Sequence, residues 1–344
     1  MSAFKGLATG IGSLPYKDVD MALALVFEFL PNIPFWPQLP NRDKREGMVN
    51  QFSENLPCLS FEDNDLVYKS CEDSLEKFYE KIISGDRGYF KISKGFAQGL
   101  YALKQKLSSE PKLLEKIEFI KGHITGPFTF AASLKDDKGA SLLHDQVFMQ
   151  AIIKGLSMKA LWEIDFFKEF GKKMIMFIDE PYLGAFGSAY TPINREDVVR
   201  GLGELTENIK TESALVGVHC CGNTDWSIFT DVKGIDIINF DAYSFSEKFV
   251  LYADSLRKFI DRGGLICWGI VPTQEFSGKE TAAFLAGKLN NSIDILVKKG
   301  LNREKLLDSM ILSPACGLGS LEPKKAEAIL KLLCETSDLV RKKP

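Results

Sequence analysis

The chain has 344 residues, of which 45% are hydrophobic and 26% charged, and its formal net charge is -3. These proportions are typical of a soluble globular protein, which at this length forms one large domain or two ordinary ones. The small net charge, with both signs mixed along the chain, excludes the basic footprint of a nucleic-acid binder. No apolar run approaches the roughly 20 residues needed to cross a bilayer, so we expect no membrane partner.

Two features predict a cytoplasmic protein. Residues 1–6 lack the charged region and following apolar run of a signal peptide. The seven cysteines are odd in number and scattered, which favours reduced thiols over a disulfide framework.

Short apolar runs rich in β-formers predict eight strands. In chain order they end at or span residues 9–12, 34–37, 117–124, 174–178, 216–218, 237–240, 266–270 and 310–312. Because proline cannot donate a ladder hydrogen bond, the run at 34–37 is the least typical of a strand.

Amphipathic stretches between these runs predict helices. In the first, apolar residues recur at helical spacing, and Asp18 is placed to cap the N-terminus. The predicted helices span residues 18–30, 72–83, 95–107, 142–170, 194–209, 246–260, 279–298 and 323–341.

Strands that alternate with helices predict an α/β fold, the (β/α)8 TIM barrel, with elaborated βα connections at 42–107 and 142–170. A doubly wound parallel sheet is the alternative. The barrel is favoured because the second half of the chain repeats strand and helix at barrel spacing. We therefore expect a single (β/α)8 catalytic domain over residues 1-344.

Three residues with nitrogen or sulfur ligands follow two of the predicted strands. His219 and Cys221 are two apart, so on a strand they share a face, and Cys316 follows the last strand. A catalytic zinc site has three protein ligands and one open position. Because metal coordination lowers the pKa of a thiol, such a site can hold a thiol substrate as thiolate. The three residues predict a Zn²⁺ centre that activates a thiol.

The remaining cysteines and histidines are interpreted as structural, since a free cysteine is often only a small buried apolar residue. Cys220 should point away from His219 and Cys221 and pack in the core. The residues that lack a partner at ligand spacing are Cys58, Cys71, Cys267, Cys334, His123 and His144.

Polar clusters follow each predicted strand, at the end where barrel enzymes build their sites. They are Ser13, Gln38, residues 125–127, residues 179–181, His219 with Cys221, residues 241–243, residues 272–274 and residues 316–317. Each alone can be a turn. Together they favour an enzyme over a binding scaffold.

Three carboxylates belong to these clusters. Asp179 and Glu180 are the candidate catalytic pair, which could bind an ammonium group, ligate a metal or act as acid and base. A helix N-cap is the structural alternative for this pair. Asp241 is a candidate fourth, exchangeable zinc ligand, and a loop carboxylate without metal contact is its alternative.

Five motifs occur together in one order. They are residues 9–15 (TGIGSLP), 125–129 (TGPFT), 178–181 (IDEP), His219-x-Cys221 and 316–318 (CGL). Over nearly the whole chain, this combination resembles the catalytic half of cobalamin-independent methionine synthase. Residues 219–223 also look like the zinc motif of methylcorrinoid:coenzyme M methyltransferases and their uroporphyrinogen decarboxylase-like relatives. All of these families share a (β/α)8 barrel.

The resemblance implies a role for each matching residue. The implied zinc ligands are His219, Cys221 and Cys316, with Asp241 near the position of a family glutamate. The residues implied to hold the amino-acid part of homocysteine are Ile11, Ser13 and Asp179, the last at its ammonium group. The thiolate would then take a methyl group and become methionine.

The sequence also departs from the full-length synthases. Their N-terminal half, which helps hold folate, is not matched, and residues 270–274 lack the histidine that follows the seventh strand in that family. A family glutamate that binds the ammonium group is replaced near Asn41 and Arg42. These departures favour the short core members of the family, for which a methylated corrinoid protein is the expected donor.

Two other functions fit the same residues. The acceptor could be coenzyme M or another small thiol, although Asp179 suits an ammonium group and not a sulfonate. A non-catalytic metal- or corrinoid-binding protein would hold zinc without transferring methyl. Uroporphyrinogen decarboxylase-like activity is disfavoured because that chemistry needs no zinc thiolates.

Overall fold

The structure, a computed structural model, describes residues 4–62, 65–69, 72–188, 192–211 and 213–342. Cys71 and the first three residues of the chain, which entered the predictions above, lie outside the described residues. None of the helices in the described part of the chain is long and apolar enough to cross a membrane.

The described strands are β1 (Leu7–Ala8), β2 (Leu59–Glu62), β3 (Asp65–Tyr68), β4 (Phe119–Thr125), β5 (Lys173–Asp179), β6 (Ala214–Cys220), β7 (Ile237–Phe240), β8 (Leu265–Val271) and β9 (Met310–Pro314). β2 and β3 form a separate antiparallel hairpin. The other seven strands form one parallel sheet in the order β1-β9-β8-β7-β6-β5-β4. The predicted α/β fold with a parallel sheet is confirmed.

The described α-helices are α1 (Val19–Phe29), α2 (Glu72–Ile83), α3 (Gln98–Ser109), α4 (Pro127–Ala132), α5 (Gln146–Phe167), α6 (Arg195–Ile209), α7 (Ser227–Asp231), α8 (Ala242–Phe249), α9 (Ala253–Asp261), α10 (Ala282–Lys298), α11 (Arg303–Asp308) and α12 (Pro323–Lys342). The Asp18 carboxylate accepts hydrogen bonds from the Asp20 and Met21 amides, as predicted for the cap of α1. The helix predicted at 246–260 is instead two helices, α8 and α9, joined by a 3-10 turn. It begins earlier than predicted because Asp241 caps α8.

The sheet is curled around its own apolar face. Phe119 from the edge strand β4 and Leu7 from the opposite edge strand β1 belong to one buried cluster, together with Ile237 from the middle of the sheet. A second, larger apolar cluster lies between the sheet and the helices. Because both faces of the sheet are covered, its strands read as continuous apolar runs.

Residues 34–37, the second of the eight predicted strands, do not form a strand. Instead, isolated parallel bridges join Phe35 to Lys121 and Gln38 to Ser13. The Lys121 amide donates to the Pro34 carbonyl at 2.9 Å, and the Gln38 amide donates to the Gly12 carbonyl at 3.0 Å. The prolines remove amide donors, which limits this segment to single bridges between the two edges of the sheet.

Because α3 packs closely on residues 34–37, we predict that alanine substitutions at two helical glycines will change stability differently. A Cβ on Gly99 would lie 1.9 Å from the Pro37 carbonyl oxygen, whereas a Cβ on Gly287 would meet nothing within 4 Å. We expect Gly99→Ala to lower the free energy of unfolding by about 1–3 kcal/mol, because the backbone of Pro37 or of α3 must move to make room for the Cβ. Gly287→Ala, the matched control, should raise it by up to about 1 kcal/mol. Urea unfolding measures both, and equal effects would contradict the packing described here.

Candidate active site

The carboxyl ends of β6 and β9 bring three predicted residues together. The ligand atoms of His219, Cys221 and Cys316 all lie within 4.8 Å of one another. His219 is buried, and the two cysteines are half-buried. The three side chains thus form a compact set of one nitrogen and two sulfur donors at one rim of the sheet.

Asn239 on β7 fixes the orientation of the His219 ring. The Asn239 amide nitrogen donates to the Cys267 carbonyl at 2.9 Å and to Ser313 Oγ at 2.8 Å. The amide oxygen is thereby turned towards His219 Nδ1, with which it forms a hydrogen bond. Because this oxygen only accepts, Nδ1 carries a proton, and Nε2 is the ring nitrogen left to face the two sulfurs.

The two sulfurs are electronically different. Hydrogen bonds from Cys221 and His219 lower the pKa of Cys316 to about 4, although burial opposes the shift. The pKa of Cys221 is raised, first because its thiol donates to Cys316 and also because it is buried. The pair therefore holds one thiolate at neutral pH, and a thiolate is the form that ligates metals.

Ser13 holds the loop that carries Cys316. The Ser13 carbonyl accepts a hydrogen bond from the Leu318 amide at 3.0 Å, and Ser13 Oγ accepts one from the Gly319 amide at 3.1 Å. A Cβ on Gly317 would lie 2.4 Å from Ser13 Oγ, so this approach requires glycine. Ser13 therefore lies against the loop that carries Cys316.

Ile11 lies on the same segment as Ser13 and contacts a buried cation. Its carbonyl accepts a hydrogen bond from Lys121 Nζ at 2.5 Å. Lys121 is fully buried and lies over the Phe177 ring. Burial lowers its pKa to about 8, and the charge of Asp179 partly opposes that shift.

Asp179 lies between the cluster and β4. In the register of the sheet it is paired with His219 on one side and with Thr125 on the other, so the three side chains share a face. Its Oδ1 is buried without a hydrogen-bond partner among the described residues. Burial raises its pKa, while the positive charges of His219 and Lys121 lower it. An unpaired buried carboxylate oxygen is suited to a cationic ligand.

Glu180, the neighbour of Asp179, points to the opposite side of the strand end. Its two carboxylate oxygens accept hydrogen bonds from the Phe128 amide at 2.9 Å and from the Thr129 amide at 2.8 Å, at the start of α4. The Thr129 hydroxyl adds a third bond at 2.6 Å. Burial raises the pKa of Glu180 to about 7, and these hydrogen bonds oppose the shift. Glu180 therefore caps a helix, which was the structural alternative for this pair.

Asp241 lies outside the group of three ligand atoms. Its Oδ1 accepts a hydrogen bond from the Ser244 amide at 2.9 Å and caps α8. Asp241, Cys221 and Cys316 nevertheless line one cavity of about 390 Å³, to which residues 272–275 also contribute. A small molecule in this cavity would touch both sulfurs.

The other cysteines do not join the site. Cys220 is fully buried in the apolar core, which confirms the prediction that it packs away from His219. Cys58, Cys267 and Cys334 lie outside the group of three. Sequence reasoning missed Asn239, the one polar residue of β7, and Lys121, which shares β4 with His123 and Thr125.

The chain was compared with known proteins in sequence and in fold. No family model matches the chain. A methionine synthase from Methanocaldococcus jannaschii is 25% identical over 233 residues, which cover 67% of this chain and 68% of the relative. Among solved structures, a B12-independent methionine synthase from Shewanella sp. W3-18-1, in complex with selenomethionine, has a TM-score of 0.56 at 16% identity. That match covers 99% of both chains.

The sequence match and the fold match agree with the resemblance that the five motifs carry. The chain is therefore similar in sequence to a methionine synthase and shares the fold of a B12-independent methionine synthase.

Proposed function

We propose that this protein is a zinc-dependent S-methyltransferase that converts homocysteine into methionine. The observation that carries the proposal is the convergence of His219, Cys221 and Cys316 within 4.8 Å. The relationship to methionine synthases supports the choice of homocysteine over other thiols.

The donor set fits zinc. Sulfur and imidazole ligands from two strand ends are typical of catalytic zinc, and three protein ligands leave one position open. His219, Cys221 and Cys316 would hold the ion, and we assign Asp241 as the exchangeable fourth ligand because it lines the same cavity. A bound zinc ion would supply a Lewis acid that lowers the pKa of the substrate thiol.

Asp179 is the proposed partner of the substrate ammonium group, and Ile11 and Ser13 form the adjoining wall. We assign the predicted acid–base role to Asp179 in preference to Glu180, whose two oxygens already accept hydrogen bonds from α4. The reaction needs no redox step. The homocysteine thiol loses its proton to solvent and its sulfur forms a bond to the methyl carbon, while the bond between that carbon and the donor breaks and its electron pair stays with the donor.

For the donor we propose a methylated corrinoid protein. Residues 272–274 at the cavity carry no histidine to protonate a folate leaving group. The half-buried sulfurs line the cavity wall and so can be reached by a methyl group carried on a separate protein. We also propose that residues 34–38 take the place of an eighth strand and close a (β/α)8 barrel in a single domain.

Replacement of one sulfur ligand tests the proposal. Cys316→Ser should reduce zinc content from one equivalent to near zero and abolish methionine formation, because it removes the thiolate of the pair. Zinc is measured by elemental analysis, and methionine by mass spectrometry with homocysteine and a methylated corrinoid protein. Cys334→Ser on α12 is the control and should retain both. A zinc-free variant with normal turnover would refute zinc dependence, and equal methylation of coenzyme M would favour the alternative acceptor.

The Asn239 hydrogen bond predicts an effect on zinc affinity without loss of a ligand. Asn239→Ala removes the partner that fixes the His219 ring, and we expect zinc affinity to fall by about 10- to 100-fold. Asn239→Asp keeps a hydrogen-bond acceptor for His219, so its zinc affinity should fall less than that of Asn239→Ala. Competition with a chromophoric chelator measures both affinities, and an unchanged affinity in Asn239→Ala would contradict the assigned role.

A further inference from the structure

His123, interpreted as structural from the sequence, carries two buried nitrogens without partners. The side chain lies on β4 with 1% of its surface exposed, and among the described residues neither ring nitrogen has a hydrogen-bond partner. Burial and the nearby charge of Lys121 hold the pKa of His123 well below its usual range, so the ring is neutral. A neutral imidazole has one donor and one acceptor, and native proteins rarely bury both unpaired.

The ring is held rigidly in one orientation. It stacks on Trp36 with a centroid separation of 3.9 Å, and Trp36 Nε1 donates to Glu163 Oε1 at 2.5 Å. The opposite face of the ring lies against Gly12. A Cβ on Gly12 would lie 2.9 Å from Cε1, 3.0 Å from Nδ1 and 3.2 Å from Nε2. The ring is therefore enclosed between Trp36 and the segment that joins Ile11 to Ser13, and this segment borders the proposed substrate site.

The unpaired oxygen of Asp179 lies on the same face of the sheet. His123 is paired with Phe177 and Thr125 with Asp179, so His123 and Asp179 are diagonal neighbours on adjacent strands. Strand spacing and rise place their Cα atoms about 8 Å apart. Two buried polar groups without hydrogen-bond partners among the described residues, a carboxylate oxygen and a neutral imidazole, thus lie on one face of the sheet on adjacent strands.

We propose that His123 binds the α-carboxylate of the amino-acid acceptor through a ring N–H, while Asp179 binds the α-ammonium group. The inference rests on the proposed function and names a further binding residue of that site. An ammonium group would stabilise the charged form of the Asp179 carboxylate, whereas an N–H donor beside the buried Lys121 side chain suits the carboxylate of the ligand. Together the two residues select thiols that carry both groups on one carbon.

The test removes the carboxylate or the ammonium group from the ligand, and it removes the proposed partner of each group, His123 or Asp179, from the protein. The ligands are homocysteine, aminopropanethiol, which lacks the carboxylate, and sulfanylbutanoate, which lacks the ammonium group. The variants of the zinc-loaded protein are His123→Phe, which keeps a ring without nitrogens, His123→Gln, which keeps an N–H donor, and Asp179→Asn. Titration calorimetry gives each Kd, and zinc content and melting temperature are measured in parallel.

The proposal predicts a selective pattern of losses. His123→Phe should lower the affinity for homocysteine and sulfanylbutanoate by about 10- to 100-fold, because the carboxylate contact is lost. The affinity for aminopropanethiol, which has no carboxylate, should not change. His123→Gln should retain most of the homocysteine affinity. Asp179→Asn should lower the affinity for homocysteine and aminopropanethiol and leave the affinity for sulfanylbutanoate unchanged. A ratio of two Kd values within one variant is insensitive to a general loss of stability.

Two results would overturn the proposal and are distinguishable. If His123→Phe weakens all three ligands equally, or if His123→Gln binds homocysteine no better than His123→Phe, His123 has only a structural role and the proposed function stands. If the zinc-loaded wild-type protein binds none of the three thiols, the proposed function fails, and the assignment of His123 fails with it.

Discussion

The side-chain amide of Asn239 joins four neighbouring strands at the level of the site. From β7 it bonds His219 on β6, the Cys267 carbonyl on β8 and Ser313 on β9. The two cysteines of the cluster follow β6 and β9, which are separated by two strands in the sheet. Their approach depends on the curl of the sheet, and the Asn239 bonds fix that curl and the tautomer of His219 together.

Buried charge is the second constraint on this site. Lys121, Asp179 and Glu180 are each buried within one region of the sheet, and isolated buried charges are costly. Glu180 is stabilised by the amides of α4, and Lys121 by the Ile11 carbonyl. Asp179 retains a carboxylate oxygen without a hydrogen-bond partner among the described residues. A cationic ligand group would supply the hydrogen bond and the opposite charge that this oxygen lacks. This imbalance is the physical reason for assigning Asp179 to substrate binding.

Most strands and helices were predictable from local pattern. The runs at 174–178 and 310–312 are continuous apolar segments, and Asp18 marks the start of α1 with a standard N-cap. The segment 34–37 was not a strand, because its prolines limit it to two isolated bridges. The early start of α8 follows from the cap at Asp241, where the sequence also allowed a metal ligand.

The site was predictable only in part. Spacing and strand ends indicated His219, Cys221 and Cys316, because parallel strands present their carboxyl ends at one rim. The roles of Asn239, Lys121 and His123 depend on contacts between residues distant in sequence, such as Gly12 against the His123 ring. Sequence spacing carries no information about these contacts. It also could not separate Asp179, which faces the site, from Glu180, which caps α4.

The most direct measurement is zinc content together with the zinc-edge X-ray absorption spectrum, recorded with and without homocysteine. The account predicts one equivalent of zinc with two sulfur ligands, and a third sulfur when homocysteine is added. Absence of zinc, or a spectrum that homocysteine does not change, would contradict the central claim that this site activates the thiol of homocysteine.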